Sequence, residues 1–186
     1  MSESDQQQAN GAAAASDKPA QPPRLSIQSQ FIKDLSFENP NPLRQATTPD
    51  LRPEIQIKVD VRAREIEAER YEIELQLNVD ALIDKPAGGG DSPVDTAGEK
   101  EAVFKLELLY GGVFVVANIP KDSLQPLVMI ECPRLLFPFA RRVVADMTRD
   151  GGFPPLMIDP IDFVALFRRR AQAAAQAAKA EAEEKA

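Results

Sequence analysis

Residues 71–83 alternate between apolar and polar side chains almost without interruption. Tyr71, Ile73, Leu75 and the following odd-numbered positions are apolar, and the positions between them up to Asp80 are charged residues or amides. Successive side chains of a β-strand point to opposite faces of its sheet, whereas a helix repeats every 3.6 residues. The stretch therefore predicts a β-strand with one buried face and one solvent face.

Three more stretches share this two-residue period, namely residues 30–38, the segment that starts at Glu54, and residues 101–119. They predict the other strands of an antiparallel sheet. Two adjacent glycines, Gly111 and Gly112, interrupt the last of these stretches. Glycines inside a strand indicate either a bulge or a close approach of another part of the chain.

The first of these strands places Phe31, Leu35 and Phe37 on one face by simple alternation. Residues 39–53 follow it and contain four prolines. Because proline disfavours the interior of both helix and strand, this segment predicts an extended crossover. Residues 85–99 are rich in glycine and proline and predict a mobile loop between two strands.

After Pro120 the apolar period changes to 3.6 residues, which predicts helices. The apolar stripe of the first helix consists of Leu136, Phe139 or Ala140, Val143 and Met147. Gly151 and Gly152 predict its end. A second helix is predicted to start with Asp159 as its N-cap and Pro160 as its first residue.

These elements predict an α+β fold, in which a four-stranded antiparallel sheet forms a meander after a Pro-rich crossover and is followed by two C-terminal helices. Residues 1–29 contain few large apolar groups and are predicted to be a disordered N-terminal tail. Residues 30–168 are predicted to form the folded domain. Residues 169–186 are rich in alanine and are predicted to be a helical or disordered tail.

Composition excludes several classes of function for the 186-residue chain. Its formal net charge is −7, and no basic patch is visible, so a nucleic-acid partner is not expected. The chain has no histidine and one cysteine, Cys132, which we interpret as a packed thiol, and we expect no enzyme, metal or cofactor. No segment resembles a signal peptide or reaches the ~18 apolar residues of a membrane helix, which predicts a cytoplasmic protein.

Two features of the predicted faces point to partners. The outward charged positions of the sheet are Asp34, Glu38, Asp60, Glu72, Glu74, Asp80 and Glu107 against Lys58, Arg62 and Lys105. This acidic face is either the solvent side of an antiparallel sheet or a docking surface for a basic partner. The first helix also carries Leu135 and Val144 outside its stripe, so either the crossover or a second subunit covers it, and we favour oligomerisation.

Several motifs resemble those of SecB, the bacterial protein-export chaperone family. They are FIKDLSFENPNP, YGGVFVVANI, ECPRLLFPFARRVVADMTRDGGFPPL and PIDFVALF, which occur in the family's order over about residues 30–168. The resemblance implies a cytoplasmic homotetramer, a dimer of dimers, with its helices between two outer sheets. It also implies an ATP-independent chaperone that holds unfolded precursors of secreted proteins and delivers them to the SecA translocation motor.

The resemblance further implies which residues meet each partner. By position, Asp34, Glu38 and Glu107 match the acidic contact to SecA. A client groove matches a larger set of apolar positions, each of which is alternatively a core residue. These positions are Phe37, Leu51, Ile55, Ile57, Leu136 and Phe139. No insertion of the chain into the membrane is implied.

Two other functions remain open from the sequence. Some relatives of SecB protect toxin–antitoxin components, although the motifs of this chain fit the export type better. An oligomeric adaptor without a client groove would also account for the acidic sheet face.

Overall fold

The computed structural model describes residues 22–43, 52–84 and 100–184, and it has the predicted α+β fold. Its four strands are β1 (Arg24–Glu38), β2 (Glu54–Glu67), β3 (Arg70–Asp84) and β4 (Lys100–Ala117). They are followed by α1 (Lys121–Pro126), a π-helical segment (Leu127–Glu131), α2 (Cys132–Asp150) and α3 (Phe163–Glu184).

The strands form one antiparallel sheet in the order β1-β4-β3-β2. The hairpin between β2 and β3 turns at Glu69, whose φ of 59° is in the left-handed region. Strands β2, β3 and β4 form the predicted meander, while β1 pairs with β4 at the opposite edge from β2. The Pro-rich segment after β1 therefore joins the two edges of the sheet.

Helix α2 packs on one face of this sheet, which we call the inner face. Leu136, Ala140 and Val144 of α2 are fully buried, and they pack with inner-face residues of β3 and β4 such as Leu75 and Leu108. The inner face of β3 is the best-buried surface in the described chain, as its unbroken alternation predicts. The opposite face of the sheet, which we call the outer face, carries the charged positions.

The paired glycines mark close approaches and not a bulge. Strand β4 runs through Gly111 and Gly112 without a register shift at either residue. A Cβ on Gly112 would lie 2.8 Å from Cδ2 of Leu136, and a Cβ on Gly111 would lie 2.5 Å from Cε2 of Phe31. Glycine therefore lets α2 approach β4 on the inner face and the Phe31 ring cover β4 on the outer face.

Strand β1 departs from the prediction in two ways. It begins at Arg24, so the end of the segment predicted to be disordered is part of the sheet. Its pairing with β4 also shifts at Lys33, because Ile32 lies opposite Tyr110 and Asp34 lies opposite Leu109. The extra residue reverses the alternation, so Phe31 lies on the outer face and Leu35 on the inner face. The prediction that the two residues share a face is therefore wrong.

The helical region also departs from the prediction. The chain is helical from Lys121, and the π-helical segment lies just before Pro133, whose ring and missing N–H cannot continue a regular α-helix. The predicted cap at Asp159 is wrong. Helix α3 begins at Phe163, and Asp162 accepts a hydrogen bond from the Ala165 N–H at 2.9 Å.

Parts of the predicted tails and loops lie outside the described residues. These parts are residues 1–21, the predicted mobile loop 85–99, and residues 44–51, which include Leu51. The helical alternative for the Ala-rich tail is observed as far as Glu184.

Candidate docking face and client surface

The three acidic residues predicted to contact SecA lie together on the outer face. Glu107 of β4 is directly opposite Ser36 of β1, so Asp34 and Glu38 flank it on the same face. All three carboxylates are exposed, and none has an ion-pair partner among the described residues. Three unpaired carboxylates on adjacent strands form a surface of the kind that a basic partner would recognise.

The register shift at Lys33 positions Asp34 on this surface. Without the extra residue, continued alternation from Phe31 would place Asp34 on the inner face opposite Leu108. With it, Asp34 lies on the outer face and Leu35 takes the place opposite Leu108. The bulge therefore places Leu35 in the apolar core and Asp34 on the charged outer face.

A second group of charges on the outer face is paired. Lys33 of β1 reaches across β4 to β3, where its Nζ lies 3.1 Å from Glu72 Oε1 and also contacts Glu74. Arg64 of β2 lies 2.5 Å from the other carboxylate oxygen of Glu72. The hydrogen bond from Arg64, followed by that from Lys33, lowers the pKa of Glu72, and the bonds to Glu74 and Glu72 raise the pKa of Lys33.

The five predicted client residues that the structure describes do not line one groove within the chain. Ile55 and Ile57 lie on the inner face of β2, and Ile57 is 37% exposed. Phe37 lies in the same transverse row as Ile57 but on β1, three strand spacings of about 4.8 Å away. Leu136 is a core residue and has no exposed surface, whereas Phe139 projects from α2 and is 48% exposed.

Phe37 is part of an aromatic cluster at the β1 edge. Its ring stacks on Phe104 with centroids 5.6 Å apart, and Phe153 lies 6.4 Å from it. A Cβ on Gly151 would lie 2.3 Å from the Phe37 ring, so the end of α2 closes tightly over this ring. Phe37 is therefore half-buried in its own chain.

Predicted client residue Ile57 lines a cleft whose helical side the sequence does not predict. Between the β2 edge and α3 lies a space of about 650 Å³, lined by Ile57, Val59 and Val61 of β2 together with Met129 and Phe167. The helical period shows that Met129 and Phe167 are apolar positions on helices. It does not show which strand they face, because that depends on how the helices cross the sheet.

Arg170 of α3 closes one side of this cleft. Its guanidinium donates to the main-chain oxygen of Val61 and lies 3.1 Å from Asp60 Oδ1. Since β2 is an edge strand, this contact covers a main-chain acceptor that a passing chain would otherwise reach. The Ala-rich helix beyond Arg170 extends past the cleft with exposed side chains up to Lys179.

The described ranges contain neither a metal-binding cluster nor a membrane-spanning helix. No group of three or more acidic or cysteine side chains in them is placed to hold a metal ion. No helix within the same ranges combines the length and apolar character needed to cross a bilayer.

Comparison with known proteins identifies the family. The family model described as preprotein translocase subunit SecB matches residues 18–174. The chain belongs to the SecB family. Its matches include the protein-export protein SecB of Xanthobacter autotrophicus, 47% identical over 81% of this chain and 86% of the relative, and that of Azorhizobium caulinodans, 46% identical over 83% and 87%. The resemblance seen in the sequence motifs is thereby confirmed.

A solved structure shares the fold of this SecB family member. It is a SecB-like chaperone of Mycobacterium tuberculosis in complex with a peptide from an antitoxin. It aligns with a TM-score of 0.53 at 12% identity and covers 75% of this chain and 91% of that chain. At this identity the likeness concerns the arrangement of strands and helices.

Proposed function

We propose that this protein is an ATP-independent export chaperone, which holds unfolded precursors of secreted proteins in the cytoplasm and delivers them to SecA. The observation that carries the proposal is the identity of 47% to a protein-export SecB over most of both chains. The geometry agrees, because the described residues combine an unpaired acidic face with an open apolar cleft on the other side of the sheet.

Client binding is assigned to partly exposed apolar surface at the β2 edge. Ile57, Met129 and Phe167 line the cleft beside α3, and Ile55 continues the same strand face. An unfolded chain would bury its apolar side chains there, at about 25 cal/mol per Å² of apolar area removed from water. Because the folded client has already buried these side chains, the chaperone binds the unfolded state and opposes folding by mass action.

We propose that α2 also takes part in assembly of a homotetramer. Leu135 and Phe139 lie on the side of α2 away from the sheet and are 42% and 48% exposed. Exposed apolar residues one helical turn apart indicate a surface that another subunit covers. Phe139 therefore suits a contact between subunits as well as a contact with a client. The experiment below distinguishes these two roles.

Native mass spectrometry tests holding and assembly together. We expect a particle of about four times 20.4 kDa that takes up an unfolded secretory precursor and ignores the same precursor once folded. Phe139→Ser should lower the subunit number if it lies between subunits. Met129→Ser should weaken uptake of the precursor with the subunit number unchanged. A particle indifferent to unfolded chains would refute the chaperone proposal.

Docking to SecA is tested separately by neutralising its proposed contacts. The triple variant Asp34→Asn, Glu38→Gln, Glu107→Gln should bind SecA at least tenfold more weakly at low salt, about 1.4 kcal/mol, and retain precursor binding. Asp146→Asn is the control, because this residue is on α2, away from the sheet's outer face. Unchanged affinity of the triple variant would refute this docking face.

A further inference from the structure

The charges of the outer face fall into two halves with different character. In the acidic half, Asp34, Glu38, Asp80 and Glu107 share the outer face with Lys105, which lies opposite Glu38 on one side and Asp80 on the other. Four carboxylates there face one ammonium group, and none of the five has an ion-pair partner among the described residues. This half attracts cations.

The other half is paired and electrically balanced. It contains the carboxylates of Glu72 and Glu74 and the cations of Lys33 and Arg64, which bridge three strands. Next to them Arg62, which lies opposite Glu74, pairs with Asp60. The two carboxylates are largely covered, with 12% and 15% of their side chains exposed, while Lys33 remains 40% exposed above them. A cationic side chain that approaches this half therefore meets Lys33 before it reaches a carboxylate.

We propose that Lys33, assisted by Arg64, determines where a basic partner docks on the sheet. It excludes the basic segment from Glu72 and Glu74 and confines it to the acidic half. The role rests on the proposed docking function, since it concerns the position of the same partner on the same face. It follows from geometry: Lys33 is the extra residue of the bulge, next to Asp34, and its side chain reaches across β4 to Glu72 and Glu74.

Exclusion by Lys33 has a physical basis in like-charge repulsion. Placing a lysine or arginine of the partner beside Lys33 and Arg64 sets like charges side by side, which raises the free energy of the wrong alignment. Placing the same lysine or arginine beside Asp34 or Glu38 does not raise the free energy in this way. Removal of the Lys33 charge should therefore add two accessible carboxylates to the docking surface.

The test measures binding of a fluorescent peptide rich in lysine and arginine to the full-length protein at low salt. Lys33→Met keeps the apolar stem and removes the charge, and it should tighten binding roughly three- to tenfold. Lys58→Met changes the net charge by the same amount, lies on the outer face of β2, and forms no ion pair among the described residues. It should change the affinity by less than twofold.

A double-mutant cycle locates the gain. Adding Glu72→Gln and Glu74→Gln to Lys33→Met should return the affinity to that of the wild type, whereas this pair alone should leave wild-type binding unchanged. Arg64→Gln provides a second, smaller gain of the same sign if Lys33→Met folds poorly. Any of three outcomes would overturn the inference. These are equal gains in affinity in Lys33→Met and Lys58→Met, a gain that survives loss of Glu72 and Glu74, and no gain in either lysine variant.

The outcome is distinguishable from failure of the docking proposal. The triple variant at Asp34, Glu38 and Glu107 reports on docking alone and does not alter the paired half. Weak binding by that variant together with an unchanged Lys33→Met supports docking and overturns the role of Lys33.

Discussion

Cδ2 of Leu136 lies 2.8 Å from the position that a Cβ on Gly112 would take. Both residues are buried where α2 meets β4, and the main-chain oxygen of Ser29 is also 3.3 Å from that position. Helix α2 therefore packs so close to β4 that only glycine fits at position 112 without a shift of its neighbours. This contact and its counterpart at Gly111 make a matched pair for experiment.

Gly112→Ala should destabilise the protein by about 1–3 kcal/mol, because α2 and β4 must separate to admit a methyl group. Gly111→Ala should cost less than 1 kcal/mol, since the Phe31 ring lies on the outer face and is able to rotate away, and alanine lowers the entropy of the unfolded chain. Urea unfolding of both variants measures the difference. Equal destabilisation would show that the two contacts are equally rigid.

Thr148→Val should cost about 1–3 kcal/mol. The buried hydroxyl of Thr148 accepts a hydrogen bond from the Leu156 N–H at 2.9 Å and donates to the Val144 carbonyl at 3.0 Å, so it ties the segment after α2 back to the helix. Valine has nearly the same shape and leaves the Leu156 N–H unpaired. Thr148→Ser retains the hydroxyl and serves as the control in urea unfolding; a valine variant no less stable than the serine variant would contradict the assignment.

The Cys132 thiol should be unreactive in the folded protein. It has no exposed surface, and burial, followed by the charge of Glu131, raises its pKa to about 12. Since the thiolate is the reactive form, a disulfide reagent at pH 8 should modify Cys132 only as fast as the chain unfolds. Ser123→Cys, at an exposed position of α1, is the positive control, and comparable rates at the two positions would refute a buried thiol.

Glu72 should contribute stability that disappears in acid. Its folded-state pKa lies below the ordinary value of 4.5, chiefly because of the hydrogen bond from Arg64 and then that from Lys33. The contribution is therefore fully present above about pH 4.5 and is lost as the pH falls through the lower folded-state value. Glu72→Gln should lower the free energy of unfolding at pH 7 by about 1 kcal/mol or less, seen as a lower Tm, and the difference from wild type should shrink as the pH falls below 4.5.

Glu107→Gln is the matched control for the Glu72 experiment. Its carboxylate lies on the same face and has no ion-pair partner among the described residues, so the Tm at pH 7 should stay the same or rise. A loss of Tm in Glu72→Gln that does not shrink as the pH falls below 4.5 would assign the effect to packing and not to charge.

The sheet was predictable because its signal is local. The alternation of β3 needs only neighbouring residues to be read, and its inward positions from Ile73 to Ala81 are indeed buried. The α3 cap was missed because the signal that selects it is not local. Both Asp159 and Asp162 have the side chain of a cap, and packing of Phe163 against Phe137 on α2, at 6.2 Å between ring centroids, favours the start at Phe163.

The candidate site was predictable in part. Exposure and alternation place Asp34, Glu38 and Glu107 on the outer face, while their roles came from family motifs. The client residues were harder, since Leu136 and Phe139 are both apolar residues of one helix. One is buried against Gly112 and the other projects away from the sheet.

The sequence by itself determined the number of strands, the buried faces of β2, β3 and β4, the balance of charge and the family, because each of these depends on the order of residues along the chain. Tertiary structure alone decided that Lys33 forms a bulge and pairs with Glu72, and that α3 leaves a cleft beside Val61. Such contacts join residues far apart in the chain. Their geometry follows from how close β4 allows Phe31 and α2 to come, which is a property of packing in three dimensions.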